Sequence, residues 1–255
     1  MALSGLEIYK LLPKVNCREC GFPTCLAFAM QLAAKKTTLA ACPKLNVDSR
    51  LTLESAAQPP IQLVTVGSGA EARAIGNETV LFRHEETFRH GTLIGFILDD
   101  TLSEVEFTAR VAAIDALTFQ RVGQTFSADL IALQNRSGDE ALFTAKARIL
   151  DRCSRSPIVL RGENLRALEG ALAILASRRP LIGTATPGEH AGIAGLAVRF
   201  KVPLAAAAPT LEDLAVLTQN LKTLGVAEMV LDVSRPQIQR AMTDLTNIRR
   251  LALKK

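Results

Sequence analysis

Four of the five cysteines in this 255-residue chain lie within the first 42 positions: Cys17, Cys20, Cys25 and Cys42. Their spacing is C-x2-C-x4-C-x16-C, and Pro43 follows the last of them. Clustered thiols in a reducing compartment are ligand candidates rather than disulfide partners. Thiolates are soft donors that select iron–sulfur clusters or zinc. An iron–sulfur cube takes four thiolates converging on one point, often with close spacings first and a distant fourth ligand before a proline. Cys17, Cys20, Cys25 and Cys42 have that form. A structural zinc site also uses four cysteines, but usually as two short C-x2-C pairs. An x4 gap followed by x16 departs from that pattern, so the spacing favours a [4Fe-4S] cluster, with zinc as the alternative.

The surrounding elements must bring these sulfurs together. Ser4 is placed to cap a short helix carrying Leu6, Leu11 and Leu12, and Pro13 to Pro23 reads as a loop that Gly21 and Pro23 allow to wrap tightly. A helix rich in Ala, Leu and Met is expected from about Thr24 to Lys36, with Lys35 and Lys36 where positive charge suits a helix C-terminus. Cys25 falls at its start, so the first amides are expected to point at the sulfurs. Pro43 biases Cys42 towards extended backbone. Residues 1–48 thus read as a small, mostly helical cluster domain. Residues 49–60 read as a linker ending in Gln58-Pro59-Pro60.

Residues 61–255 carry a different pattern. A short N-terminal β lead-in is expected, with strands at Ile61–Val66 and Thr79–Phe82 around a Gly67-Ser68-Gly69 turn. That turn has neither the Lys-Ser/Thr of a P-loop nor a GxGxxG fingerprint. Apolar runs then recur at Leu93–Leu98, Leu130–Leu133, Ile158–Leu160, Leu181–Gly183, Val202–Ala206 and Met229–Leu231, each followed by a helical pattern. The first of these helices is expected to use Val105, Ala109, Ala112, Ala116 and Phe119 as its apolar face. Six βα units with continuous apolar strands predict an α/β fold with a parallel sheet. Either an open doubly wound sheet or an incomplete (β/α)8 TIM-type barrel would fit.

Composition excludes several function classes. The 30 basic and 25 acidic residues are well mixed, with one Tyr and no Trp, so neither a nucleic-acid arm nor a base-stacking surface is expected. No apolar stretch approaches the ~20 residues of a membrane span. Met1 to Glu7 lacks a basic and apolar leader pattern, and a cytoplasmic protein is expected.

At this point the residues resemble a family. Gly5 to Lys14, Asn16 to Met30, Phe82 to Phe88, Arg121-Val122-Gly123, Asp129 to Leu133 and Val230-Leu231-Asp232 are similar to the large (gamma) subunits of corrinoid iron–sulfur proteins of the acetyl-CoA decarbonylase/synthase system. The resemblance implies a [4Fe-4S] domain ligated at Cys17, Cys20, Cys25 and Cys42, a (β/α)8 barrel and a C-terminal cobamide domain. It implies methyl transfer from a tetrahydropterin-type carrier to acetyl-CoA synthase, with the cluster supplying the electron that reactivates oxidised cobalt. The implied partners are the small (delta) subunit, a methyl-pterin methyltransferase and acetyl-CoA synthase. Against that pattern the chain reads as C-terminally truncated, lacking the last two βα units and the cobamide domain. It is therefore expected to be inactive alone. Rival readings are an electron-transfer or scaffold subunit, and a barrel methyltransferase with its own pterin pocket.

Other candidates carry weaker signals. Asp99, Asp100, Asn135, Arg136, Thr184, Thr186, Asp232 and Ser234 follow apolar strands and would form a rim there, either binding a ligand or capping helices and loops. His84 is expected to be structural, and His90 and His190 solvated. Cys153 is expected in the core or as an inert thiol.

Overall fold

The computed structural model describes residues 4–34, 36–57, 61–82, 84, 87–233 and 237–253. The expectations for Lys35, Pro59, Pro60 and Ser234 lie outside those residues.

The first unit is helical. Helix α1 (Gly5–Leu11) begins at a capping box: Glu7 N–H donates to Ser4 Oγ at 3.3 Å, and Ser4 N–H donates to Glu7 Oε2 at 2.7 Å. It stops at Leu12, which precedes a proline. Helix α2 (Cys25–Ala33) starts at Thr24, whose Oγ1 accepts from Ala27 N–H at 3.1 Å. A 3-10 turn (Leu39–Ala41) leads to Cys42, and α3 spans Val47–Ala57. The stretch read as a linker is thus helical up to residue 57. Its Leu53 packs with Ile8, Leu12, Cys25, Phe28, Ala29, Cys42 and Leu45 in a small separate core. Gly5 is buried because a Cβ there would collide with Met30 Sδ, so glycine lets α1 and α2 approach.

A hairpin follows, with β1 (Val64–Val66) antiparallel to β2 (Arg73–Ile75). The expected strand at Thr79–Phe82 is not formed, and its place in the hairpin is taken earlier in the chain. Arg179 fastens this hairpin, donating from Nε to the Thr65 carbonyl at 3.2 Å, while its own carbonyl accepts from Gly67 N–H at 2.9 Å.

Six parallel strands form the main sheet: β3 (Gly95–Asp99), β6 (Leu130–Gln134), β7 (Ile158–Arg161), β8 (Leu181–Ala185), β9 (Leu204–Ala207) and β10 (Met229–Asp232). Their order is β10-β9-β8-β7-β6-β3. Neighbours in space are neighbours in sequence, and the order never reverses, which removes the doubly wound alternative. Between β3 and β6 stand α4 (Glu104–Asp115) and an antiparallel hairpin of β4 (Thr118–Arg121) and β5 (Gln124–Ser127). The remaining crossovers are α5 (Glu140–Cys153), α6 (Leu165–Leu175), α7 (His190–Phe200) and α8 (Leu211–Thr223), and α9 (Ile238–Leu253) follows β10. Side chains of Ser103, Asp139, Asn164 and Thr210 cap α4, α5, α6 and α8.

Leu98, Leu133, Leu160, Ile182 and Leu204 point into one core with Phe107, Phe143, Leu168 and Leu217 of the helices. On α4 the buried residues are Phe107, Val111 and Ile114, whereas Val105 is 82% exposed. The expected face therefore lies on the wrong side of the helix, because it followed the small apolar residues rather than the aromatic. On the other sheet face, Val66 of the hairpin packs against Leu181 and Ala205, beside Val159 and Val230.

Candidate metal centre

The loop between α1 and α2 has an unusual backbone. Lys14, Asn16 and Arg18 have φ of 58°, 47° and 64°, and Gly21 has φ of 83°. Left-handed conformations at non-glycine residues cost energy and concentrate where a site demands them. Asn16 shows what the strain achieves here. Its Oδ1 accepts from Cys25 N–H at 2.8 Å, tying the loop that holds Cys17 and Cys20 to the helix that begins at Cys25. Gly21 N–H donates to the Arg18 carbonyl at 3.0 Å and closes the turn around Cys20. The Phe22 ring packs 5.7 Å from that of Phe28. Two of the first three amides of α2 are therefore taken by Asn16 and Thr24, not aimed at sulfur as expected.

Asn16→Ala is expected to destabilise this unit by about 1–2 kcal/mol, since it removes the acceptor and leaves an L side chain at positive φ. Asn16→Gly should cost less, because glycine takes that backbone freely. Thermal melts at matched metal content would give the order of the two.

Cys42 enters from the other side, at the end of the 3-10 turn, with its N–H donating to the Leu39 carbonyl at 3.2 Å. Cys25 and Cys42 are buried, while Cys17 and Cys20 are half-buried. Burial pushes the Cys42 thiol above its usual range. The Lys44 N–H at its sulfur works against this, and the charges of Cys20, Cys17 and Cys25 add to it. Cys42 thus lies within electrostatic reach of Cys20, Cys17 and Cys25, and a cationic cluster core would offset the repulsion among their thiolates. Lys44 Nζ lies 2.6 Å from Glu19 Oε1 and joins the Cys42 segment to the Cys17–Cys20 turn. The hydrogen bond and charge of Glu19 raise the Lys44 pKa. Among the described residues, no group of three or more His, Cys, Asp or Glu side chains is arranged to hold a metal ion. A lone zinc would require sulfurs about 2.3 Å from one point.

The other candidates fall elsewhere. Asp100 is buried and accepts from Arg136 N–H, Ser137 N–H, Ser137 Oγ and Asn135 Nδ2 at 3.0, 3.0, 2.6 and 2.7 Å. It organises the loop after β6. Asp99 faces Arg136 at 3.8 Å. Thr184 and Asp232 are half-buried, and Thr186 is exposed. His84 stacks on Phe82 at 5.4 Å. Among the described residues, His90 Nε2 and His190 Nδ1 are buried without a hydrogen-bond partner, which corrects the expectation of solvated rings. Cys153 is exposed, so it is not a core residue. Sequence reasoning missed Asn16 altogether; the available signal was an Asn, a residue that tolerates left-handed backbone, one position before the first cysteine.

Residues 63–255 match the family model described as CO dehydrogenase/acetyl-CoA synthase delta subunit. Residues 12–44 match one described as "Putative Fe-S cluster". The corrinoid/iron-sulfur protein large subunit of Moorella thermoacetica is 43% identical over 100% of this chain and 57% of its own length. The acetyl-CoA decarbonylase/synthase complex subunit gamma of Methanothermobacter thermautotrophicus is 34% identical over 99% of the chain and 56% of its own length. The chain thus spans little more than half the length of these curated relatives.

Proposed function

Because the chain belongs to the CO dehydrogenase/acetyl-CoA synthase delta subunit family, we propose that it serves corrinoid-dependent methyl transfer between a tetrahydropterin-type carrier and acetyl-CoA synthase, with Cys17, Cys20, Cys25 and Cys42 holding a [4Fe-4S] cluster. When bound, that cluster supplies the single electron for reductive activation of a cobamide. The chain's own residues hold and shield it. Cys25 and Cys42 lie in the small core, Asn16 fixes the loop to α2, and the Glu19–Lys44 pair joins the two cysteine segments. The single observation that carries the reading is that residues 12–44, which match the Fe-S cluster family model, contain all four cysteines. No described residue is assigned to the cobamide. We place the protein in the cytoplasm with the small (delta) subunit, the methyl-pterin methyltransferase and acetyl-CoA synthase as partners. We read the unreversed six-strand order as part of a (β/α)8 barrel.

The test is anaerobic purification with metal and sulfide analysis. About four iron and four sulfide per chain, with a paramagnetic signal on dithionite reduction, are expected. Stoichiometric zinc with neither iron nor sulfide would overturn the proposal. Titration with a cobamide then separates the roles: a spectral shift supports a part in methyl transfer, and no binding reduces the chain to an electron relay or scaffold.

A further inference from the structure

Among the described residues, helices cover one face of the main sheet, and the β1–β2 hairpin packs on the other. On the helix-covered face Leu98, Leu133, Leu160, Ile182 and Leu204 are at most 3% exposed. The next residue along each strand turns to the other face, where pairing aligns Asp99, Gln134, Arg161 and Gly183 in one row. Arg161 and Gly183 lie two residues beyond Val159 and Leu181, which belong to the cluster on that same face. There β8 is bulged. Ile182 pairs with Leu204 and Ala185 with Ala206, so Gly183 and Thr184 together oppose Ala205. Ile182 and Ala185 both belong to the helix-side core, which leaves Thr184 with Gly183 on the open face. Bulges are over-represented beside functional sites, where they re-aim a side chain.

Gln134, Arg161 and Thr184 are each half-buried. Among the described residues, none of the three side chains has a hydrogen bond or ion pair. Folding does not require this arrangement. A partly dehydrated guanidinium without a partner costs stability. Two other half-buried arginines are engaged: Arg178 donates to the Leu150 and Ser156 carbonyls, and Arg179 to that of Thr65. Asp99 faces Arg136, which leaves Arg161 the uncommitted cation of the row.

We propose that Arg161, Gln134 and Thr184 form a binding site for a small ligand carrying an oxyanion, either a carboxylate or a phosphate. The planar guanidinium matches two oxygens of such a group. The Gln134 amide and Thr184 hydroxyl supply further donors. The site lies at the C-terminal ends of parallel strands, where ligands of such sheets bind. It does not depend on the cysteines.

The test is calorimetric titration of the 255-residue chain with inorganic phosphate and, separately, with succinate. Saturable one-to-one binding of at least one is expected, and which of them binds identifies the anion. Arg161→Ala should weaken it about tenfold or more, Arg161→Lys less, and Thr184→Val several-fold. Arg148→Ala, on the exposed side of α5, should leave it unchanged. Arg161→Met should also raise the melting temperature by about 2–4 °C, because it removes an uncompensated charge. Three results would each overturn the site: no saturable binding of either anion, unchanged binding by Arg161→Ala, or a lower melting temperature for Arg161→Met.

Discussion

Cys20→Ala, prepared without oxygen, is expected to be colourless, with iron falling from about four per chain to near zero and no signal on reduction. Cys20 sits in the turn closed by Gly21 and packs against the small core with Phe22 and Leu39. Losing it removes one of the two half-buried donors, and alanine offers no replacement atom. The effect should extend beyond the metal. Among the described residues this core has eight buried members, and units so small commonly depend on a metal for stability. The variant's first 57 residues should therefore be cut by protease far faster than those of the native protein, while the sheet unit survives. Cys153→Ala is the matched control. Its thiol is exposed at the end of α5, so iron, colour and proteolysis should be unchanged. Full iron retention in Cys20→Ala would remove Cys20 from the ligand set.

Asp100→Ala is expected to destabilise the sheet unit by about 3 kcal/mol or more, because the side chain is 1% exposed and serves four donors. Two of these are the backbone amides of Arg136 and Ser137, which cannot turn to water without breaking the loop between β6 and α5. Burial raises the pKa of the Asp100 carboxyl, but the hydrogen bonds from Ser137, Asn135 and Arg136 outweigh it and hold the value below the ordinary 3.8. The folded pKa is thus lower than the unfolded one. The stabilisation is fully present above about pH 4 and fades as pH falls through the folded value. Denaturant titrations should give a constant gap between native protein and Asp100→Asn from pH 7 to about 5, narrowing below 4. A gap that widened in acid would show that the carboxylate is not the stabilising form.

Much of the architecture was legible because it rests on local signals. The Ser4 cap, the six apolar strands and the helix after each of them follow from capping chemistry and periodicity. The β4–β5 hairpin was missed because its strands are exposed and bury no apolar row. Phe119 and Phe126 pair across it with stacked rings 5.4 Å apart, and the reversal falls at Val122 and Gly123, both at positive φ. A single glycine after Val122 was too slight a turn signal, and Phe119 was absorbed into the preceding helical pattern. The helix within the stretch read as a linker was missed for a related reason. Residues 47–57 mix polar and apolar positions, and Leu53 anchors them to a core formed by distant residues.

At the cysteines, spacing revealed the donors but not what holds them. The Cys25 amide is engaged by an Asn nine residues earlier, through a backbone conformation that the sequence does not announce. Asp100 was correctly suspected of a loop role from its position after a strand. The row containing Arg161 was not legible, since it depends on register across four strands and on a bulge in β8.

The strand order of the main sheet is also the order of translation. Each strand after β3 pairs with the sheet strand made just before it, so a chain leaving the ribosome can lay down the sheet one strand at a time. Among the described strands, β10 pairs with β9, the strand made just before it. The row of Asp99, Gln134, Arg161 and Gly183 needs only β3, β6, β7 and β8. It can be complete while β9, β10 and α9 are still being synthesised.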